Sequence, residues 1–239
     1  MKSQSLADAE NDSRPQFRVA VGLLARAPAS GGKTRLSADV PPHRLATLRV
    51  ALLGDAIALL ARTPGVDPFL FYTPADAAAA DDIRPLAGPD LPLVPQCDGD
   101  LGVRMCAALE DLLERRGYDA AILVGADNPL MTPDHLAGAR DLLHDDTVVL
   151  GPADDGGYYL IGMRRLRREL FVDVAWGTES VLTDTLRIAD RIGAEARFIG
   201  SGYDIDTIAD LRRLERDVVG APAEVGSHVR RWFAAGAVS

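Results

Sequence analysis

Two apolar patterns alternate along this chain: short unbroken runs, and stripes spaced three and four residues apart. The run Val19-Ala20-Val21-Gly22-Leu23-Leu24 predicts a strand over about Arg18–Leu24. Leu45, Leu48, Leu52, Ala56 and Leu59 recur at helical spacing and predict a helix over Pro42–Arg62. A strand over Pro68–Tyr72, a short helix over Asp76–Arg84 and a strand over Leu91–Val94 follow. Leu101–Arg116 reads as an amphipathic helix stopped by Gly117. Asp119–Gly125 contains Ala-Ala-Ile-Leu-Val, the continuous apolar run of a central strand covered on both faces. Thr132-Pro133-Asp134 opens the next helix, with proline at its first position. Strands over Thr147–Leu150 and Tyr158–Met163 flank Gly151–Gly157. A helix over Gly177–Ile192, a strand over Arg197–Ile199 and a helix over Ile208–Asp217 complete the pattern. Strands alternating with helices predict a single three-layer α/β/α domain around a mostly parallel sheet.

The 239 residues suffice for one such domain with a sizeable core. The expected domain spans 17–219, preceded by a polar, disordered tail over 1–16. From 220 to 239 the chain reads as a linker with a short C-terminal helix or tail. A net charge of −9 argues against a nucleic-acid binder, which would carry a basic field. No run approaches the roughly 20 apolar residues that span a bilayer. Cys97 and Cys106 are too few for a disulfide framework and fit a reducing, cytoplasmic compartment. The four histidines form no ligand spacing.

The chemistry lies in the loops. Only two of the 26 basic residues are lysine, and one of them, Lys33, sits in Gly31-Gly32-Lys33-Thr34-Arg35-Leu36, just after the first strand. A glycine pair lets backbone N–H groups approach a ligand closely. Lys33 and Arg35 then supply a point charge and a planar fork, which suits phosphate oxygens, although the spacing is not that of a Walker A loop. Asp127 follows the central strand, where open α/β sheets bind ligands and a carboxylate can hold a hard cation; Asp-Asn-Pro is also turn chemistry. Asp204 and Asp206 alternate in an extended segment, so both can face one ion, or Asp206 or Thr207 can cap the last helix. Asp154-Asp155-Gly156-Gly157 is either an ordinary strand turn or an acceptor site with a general base. Gln96 offers an amide to a base edge, with Asp100 a cap. Trp176-Gly177-Thr178 offers either a stacking surface or a core tryptophan beside a cap.

Taken in order, these motifs resemble a bacterial family of GT-A-type, glycosyltransferase-like proteins long catalogued as a domain of unknown function. The resemblance rests on Lys33-Thr34-Arg35-Leu36, Gly99-Asp100-Leu101-Gly102-x-Arg104-Met105, Asp127-x-Pro129, Gly151–Tyr159, Trp176-Gly177-Thr178 and Tyr203-Asp204-Ile205-Asp206-Thr207. It covers about residues 18–217. More distantly the chain is similar to 2-phospho-lactate guanylyltransferase. The resemblance implies a nucleotide-diphospho-sugar transferase fold and a nucleotide bound with Mg²⁺ or Mn²⁺. Asp127, Asp204 and Asp206 would hold the metal. Lys33 and Arg35 would hold phosphates, and Gln96, Gly102 and Arg104 would face the nucleotide. Asp154, Gly156, Gly157, Trp176 and Thr178 would meet a small-molecule acceptor, with Lys33, Asp127 and Asp155 catalytic. The family's Lys-Ala-Pro is Arg26-Ala27-Pro28 here, and the second lysine of the sugar-nucleotide pyrophosphorylases is absent. Glycosyl transfer from a nucleotide sugar is slightly favoured. Nucleotidyl transfer from an NTP, with release of pyrophosphate, is the runner-up, and a catalytically silent nucleotide-binding module is the third reading. The chain is free to form a homo-oligomer.

Overall fold

The computed structural model describes residues 17–236. The elements are β1 (Val19–Arg26), α1 (Pro42–Arg62), β2 (Asp67–Thr73), α2 (Ala77–Ala87), β3 (Leu93–Pro95), α3 (Leu101–Glu110), β4 (Ala120–Gly125), α4 (Pro133–Asp141), β5 (Thr147–Pro152), β6 (Tyr158–Met163), α5 (Val181–Arg191), β7 (Glu195–Phe198), α6 (Ile208–Gly220) and α7 (Ser227–Ala234). The seven strands run in the order β3-β2-β1-β4-β6-β5-β7. All neighbours are parallel except β6, which is antiparallel to both β4 and β5. The expected mostly parallel sheet, with helices on both faces, is what the chain forms.

Alternation along the strands divides the core. Val19, Val21 and Leu23 of β1 and Ile122 and Val124 of β4 point to one face, against Leu53, Leu59 and Leu60 of α1, Ile83 of α2 and Leu136 of α4. Ala20, Ala121 and Leu123 point to the other, against Met105 and Leu109 of α3 and Ile188 of α5. The leucine stripe of α1 is wide enough to serve twice. Leu45, Leu48 and Leu52 also pack on Leu211 and Leu214 of α6 and Val229 and Trp232 of α7. The C-terminal segment is therefore docked: the buried Asp55 of α1 accepts hydrogen bonds from the N–H groups of His228 (2.8 Å) and Val229 (2.9 Å) at the start of α7. No described helix is long and apolar enough to cross a membrane. The tail expected over 1–16 lies outside the described residues.

Most element ends shift by a few residues from the sequence reading, and three differences have a local cause or no predicted counterpart. The helix expected to run from Leu101 to Arg116 is α-helical only to Glu110 and ends in a π turn over Asp111–Arg115. Two ion pairs match that five-residue register, Glu110–Arg115 at 2.7 Å and Asp111–Arg116 at 2.6 Å. The helix expected from Gly177 starts at Val181, because Gly177 has φ 80° and Thr178 turns its hydroxyl back to the carbonyl of Ala175. A 3₁₀ turn at Arg168–Phe171, with Leu170 and Phe171 buried, has no counterpart among the predicted elements.

Candidate active site

The loops leaving β1 and β4 and the segment after β7 converge at one edge of the sheet, where open α/β folds bind ligands. Beyond β1 the backbone passes through three successive positive φ values: Gly31 (84°), Gly32 (104°) and Lys33 (58°). Glycine reaches this region freely, whereas lysine pays roughly 1–2 kcal/mol for it. Arg49 of α1 straps the loop, donating from Nε to the carbonyl of Pro28 (2.8 Å) and from Nη1 to that of Gly32 (3.2 Å).

So placed, Lys33 extends into the cleft with its side chain 7% exposed. Its Nζ lies 2.9 Å from Oδ1 of Asp127 and 2.9 Å from Oδ1 of Asp206. Burial alone would lower the pKa of this ammonium, but Asp127 and Asp206 outweigh it and hold the group above its ordinary value. A backbone bond from Ile205 N–H to the carbonyl of Asp127 (3.1 Å) stitches the two acidic segments together. Thr207 caps α6 in a reciprocal box with Asp210, which leaves the carboxylate of Asp206 to the cleft. Asp204 is pushed up to about 7, chiefly by burial and then by Asp127, with Lys33 opposing and Asp155 and Asp206 adding to the rise.

The cleft has two compartments. The first, about 360 Å³, is lined by Arg26, Gly31, Gly32, Lys33, Arg49 and Asp127 at its polar end and by Leu52, Leu53, Leu123 and Val124 at its apolar end. The second, about 340 Å³, is lined by Arg35, Asp155, Gly157, Trp176, Thr178 and Glu179. Leu101, Met105, Tyr158, Asp204 and Asp206 line both and form the divide. Among the described residues, no three His, Cys, Asp or Glu side chains are already arranged to hold a metal ion. At present the ammonium of Lys33 is what Asp127 and Asp206 share.

Several expected contacts are not made. Arg35 does not join Lys33 in the first compartment; it opens on the second and has no carboxylate partner among the described residues. Gln96 is 8% exposed, and its amide donates to the carbonyls of Phe71 (2.7 Å) and Ala25, so it is spent on the sheet rather than offered to a base. Arg104 turns back to the carbonyl of Gly99 (2.9 Å). Gly102 admits Trp176: a Cβ there would lie 2.3 Å from the indole Nε1. Asp154 points outward to Arg213 at 2.6 Å, and Gly156 sits where a Cβ would strike the carbonyl of Glu179. Gln96, Gly102, Arg104, Asp154 and Gly156 line neither compartment. Asp155, Gly157, Trp176 and Thr178 do line the second. The Trp176 ring lies nearly parallel to that of Phe171, 17° off at 6.5 Å. Arg49, Met105 and Tyr158 were missed as site residues. Arg49 reads as an ordinary helix position, whereas Met105 and Tyr158 fall inside motifs of the resemblance without being singled out as site residues.

Proteins of known structure share this architecture. A crystal structure of a candidate nucleotide-diphospho-sugar transferase from Desulfovibrio desulfuricans is 28% identical, covers 90% of this chain and 95% of its own, and superposes with a TM-score of 0.82. A nucleotidyl transferase from Methanothermobacter shares the fold alone, at 14% identity, 85% and 98% coverage and a TM-score of 0.57. Phosphoenolpyruvate guanylyltransferase of Sphaerobacter thermophilus is 28% identical over 188 residues, 77% of this chain and 87% of that protein. The model of one protein family matches residues 56–178, which run from α1 through the central strand to the tryptophan loop. That match spans more than half of the sequence, and the chain belongs to the family described as "Uncharacterized protein conserved in bacteria (DUF2064)".

Proposed function

We propose that the protein transfers a group from a nucleotide donor in the first compartment to a small acceptor in the second. One observation carries this reading: the two compartments meet at a divide that holds the carboxylates of Asp204 and Asp206, with the buried ammonium of Lys33 bonded to Asp206. A donor polyphosphate lying along Gly31–Lys33 would meet backbone N–H groups and Lys33, with Arg26 and Arg49 on the same wall. The apolar end of that compartment suits a base or ribose.

Within this class, glycosyl transfer is the favoured reaction. Asp155, Glu179, Asp204 and Asp206 face the second compartment against one arginine, a lining that suits the hydroxyls of a neutral acceptor. Asp155 is held by the N–H of Gly157 on Oδ1 (2.9 Å), which leaves Oδ2 to take the proton of an acceptor hydroxyl. As the acceptor oxygen bonds to the sugar carbon, the bond from that carbon to the diphosphate oxygen breaks. Negative charge collects on the leaving diphosphate, where the Lys33 ammonium stabilises it.

The donor set also suits a divalent cation. Asp127 and Asp206 already converge on one positive charge, and Asp204 lines the same wall; all three offer the hard oxygens that Mg²⁺ and Mn²⁺ prefer. Asp127, Asp206 and Asp204 would hold the ion, which when bound supplies positive charge to the phosphate oxygens.

The second reading is nucleotidyl transfer. It is favoured by the guanylyltransferase relative and by three cationic side chains, Arg26, Lys33 and Arg49, on the donor wall. Purified protein offered nucleotide sugars and NTPs separately, with Mn²⁺ and an acceptor panel, distinguishes the two. Glycosyl transfer releases a nucleoside diphosphate only when acceptor is present. Acceptor-dependent pyrophosphate would replace the first reading by the second. Neither product, with no nucleotide binding, would leave a silent module.

A further inference from the structure

The Lys33 ammonium sits between Asp127 and Asp206 at 2.9 Å from each, and its side chain is far more buried (7% exposed) than the two carboxylates (46% and 42%). It occupies the position from which a small cation would touch both oxygens. An ammonium and a divalent cation cannot share that gap, since each needs the same lone pairs and they repel.

We propose that Lys33 is an exchangeable counter-ion, which fills the cation position in the ligand-free protein and hands it to a divalent cation when it turns to a polyphosphate. The proposal rests on the reading above that this cleft takes a polyphosphate and a divalent cation.

The surroundings say why neither ligand binds well alone. A cation arriving first must evict the ammonium from both carboxylates, and the buried side chain loses two ion pairs with no anion yet bound to replace them. A polyphosphate arriving first draws Lys33 away and leaves Asp127 and Asp206 bare beside phosphate oxygens. Together, each ligand removes the other's penalty. The coupling is therefore positive and, by linkage, equal in both directions. Arg49 holds the loop backbone, so the exchange falls to the lysine side chain, whose stem has four rotatable carbons.

The test is Mn²⁺ binding, read from the electron-paramagnetic signal of the free ion, with inorganic tripolyphosphate as second ligand and no turnover involved. Wild-type protein should bind Mn²⁺ weakly, and saturating Mn²⁺ should tighten tripolyphosphate by at least about tenfold, a typical size for such coupling. Lys33→Gln, which keeps length and loses charge, should bind Mn²⁺ alone at least about tenfold more tightly than wild type and show much weaker coupling. Lys33→Arg should stay weak. Equal or weaker Mn²⁺ binding by folded Lys33→Gln overturns the exchange while leaving the metal site standing. Absence of Mn²⁺ binding under every condition overturns both. Should Lys33→Gln fail to fold, the wild-type measurement decides alone, and coupling of less than about threefold sinks the idea.

Discussion

Two carboxylates raised above their ordinary range make an instructive pair. Asp55, on α1, is 4% exposed, and burial is the main cause of its raised pKa. Backbone N–H groups of α7 answer its charge, fixed at 2.8 and 2.9 Å by the helix they begin. Asp204, in the cleft, is raised chiefly by burial too, but its nearest company is three more carboxylates and one lysine on a loop of positive φ. The first charge is compensated by groups that cannot leave. The second is compensated incompletely, by a group on a flexible stem. Charge balance in a fold is settled with backbone dipoles; at a working site it is left open for a ligand to complete.

Breaking the cleft should affect chemistry more than stability. Lys33→Ala is expected to lower turnover by about 10² to 10³, the worth of a fixed donor at a developing charge, while the melting temperature barely moves. Lys33→Arg should not restore the rate, because a planar fork differs from a point charge. Parallel rate and melting curves check this. A rate unchanged in Lys33→Ala would remove Lys33 from the mechanism.

Asp127→Asn keeps size and removes charge. Metal-dependent nucleotide binding should weaken by about 10- to 100-fold with the fold intact. Calorimetry showing unchanged metal dependence would reduce Asp127 to a turn residue.

Breaking the other carboxylate should do the reverse. Asp55→Ala leaves the N–H groups of His228 and Val229 unanswered and should cost about 1–3 kcal/mol of stability. Nucleotide affinity should stay within error. A large loss of affinity would mean that α7 and the cleft are energetically one unit.

The smallest effect is one of pH. Asp204 titrates near 7 when folded and near 3.8 when unfolded, so the folded chain binds the extra proton between those values. Stability contributed by that proton is present at low pH and is lost as pH rises through 7. Between pH 6 and 8 the ligand-free protein should lose about 1 kcal/mol from this group. Asp204→Asn should flatten that slope in denaturant melts, and an unchanged slope would assign the dependence to another group.

Sequence pattern revealed the frame because the frame is periodic. The stripe Leu45, Leu48, Leu52, Ala56, Leu59 marked α1 over Pro42–Arg62, and the run Ala120–Val124 marked the strand beneath the site. Lys33, Asp127 and Asp206 drew notice in the sequence because they lie in loops beyond strands, where open α/β sheets bind ligands, and the fold brings the three side chains together. What stayed hidden was direction. Asp154 and Asp155 are adjacent and chemically equal, yet one pairs with Arg213 outside and the other faces the cleft. Gln96 and Arg104 look available on paper, but each satisfies a nearby backbone carbonyl. Arg35, two residues from Lys33, opens on the second compartment because a 3₁₀ turn over Thr34–Leu36 intervenes. Short-range hydrogen bonding decides such cases, and residue type alone does not encode it.

The bond between Lys33 and Asp206 joins residues 173 positions apart. During synthesis the glycine loop and Asp127 are made first, and all seven strands are complete before Asp206, the second acidic partner, exists. A partly made chain thus lacks a finished pocket. Contacts of such long separation carry a large closure entropy and form late. Nucleotide capture in a refolding experiment should therefore be the last signal to appear, a clock that reads completion of the whole domain.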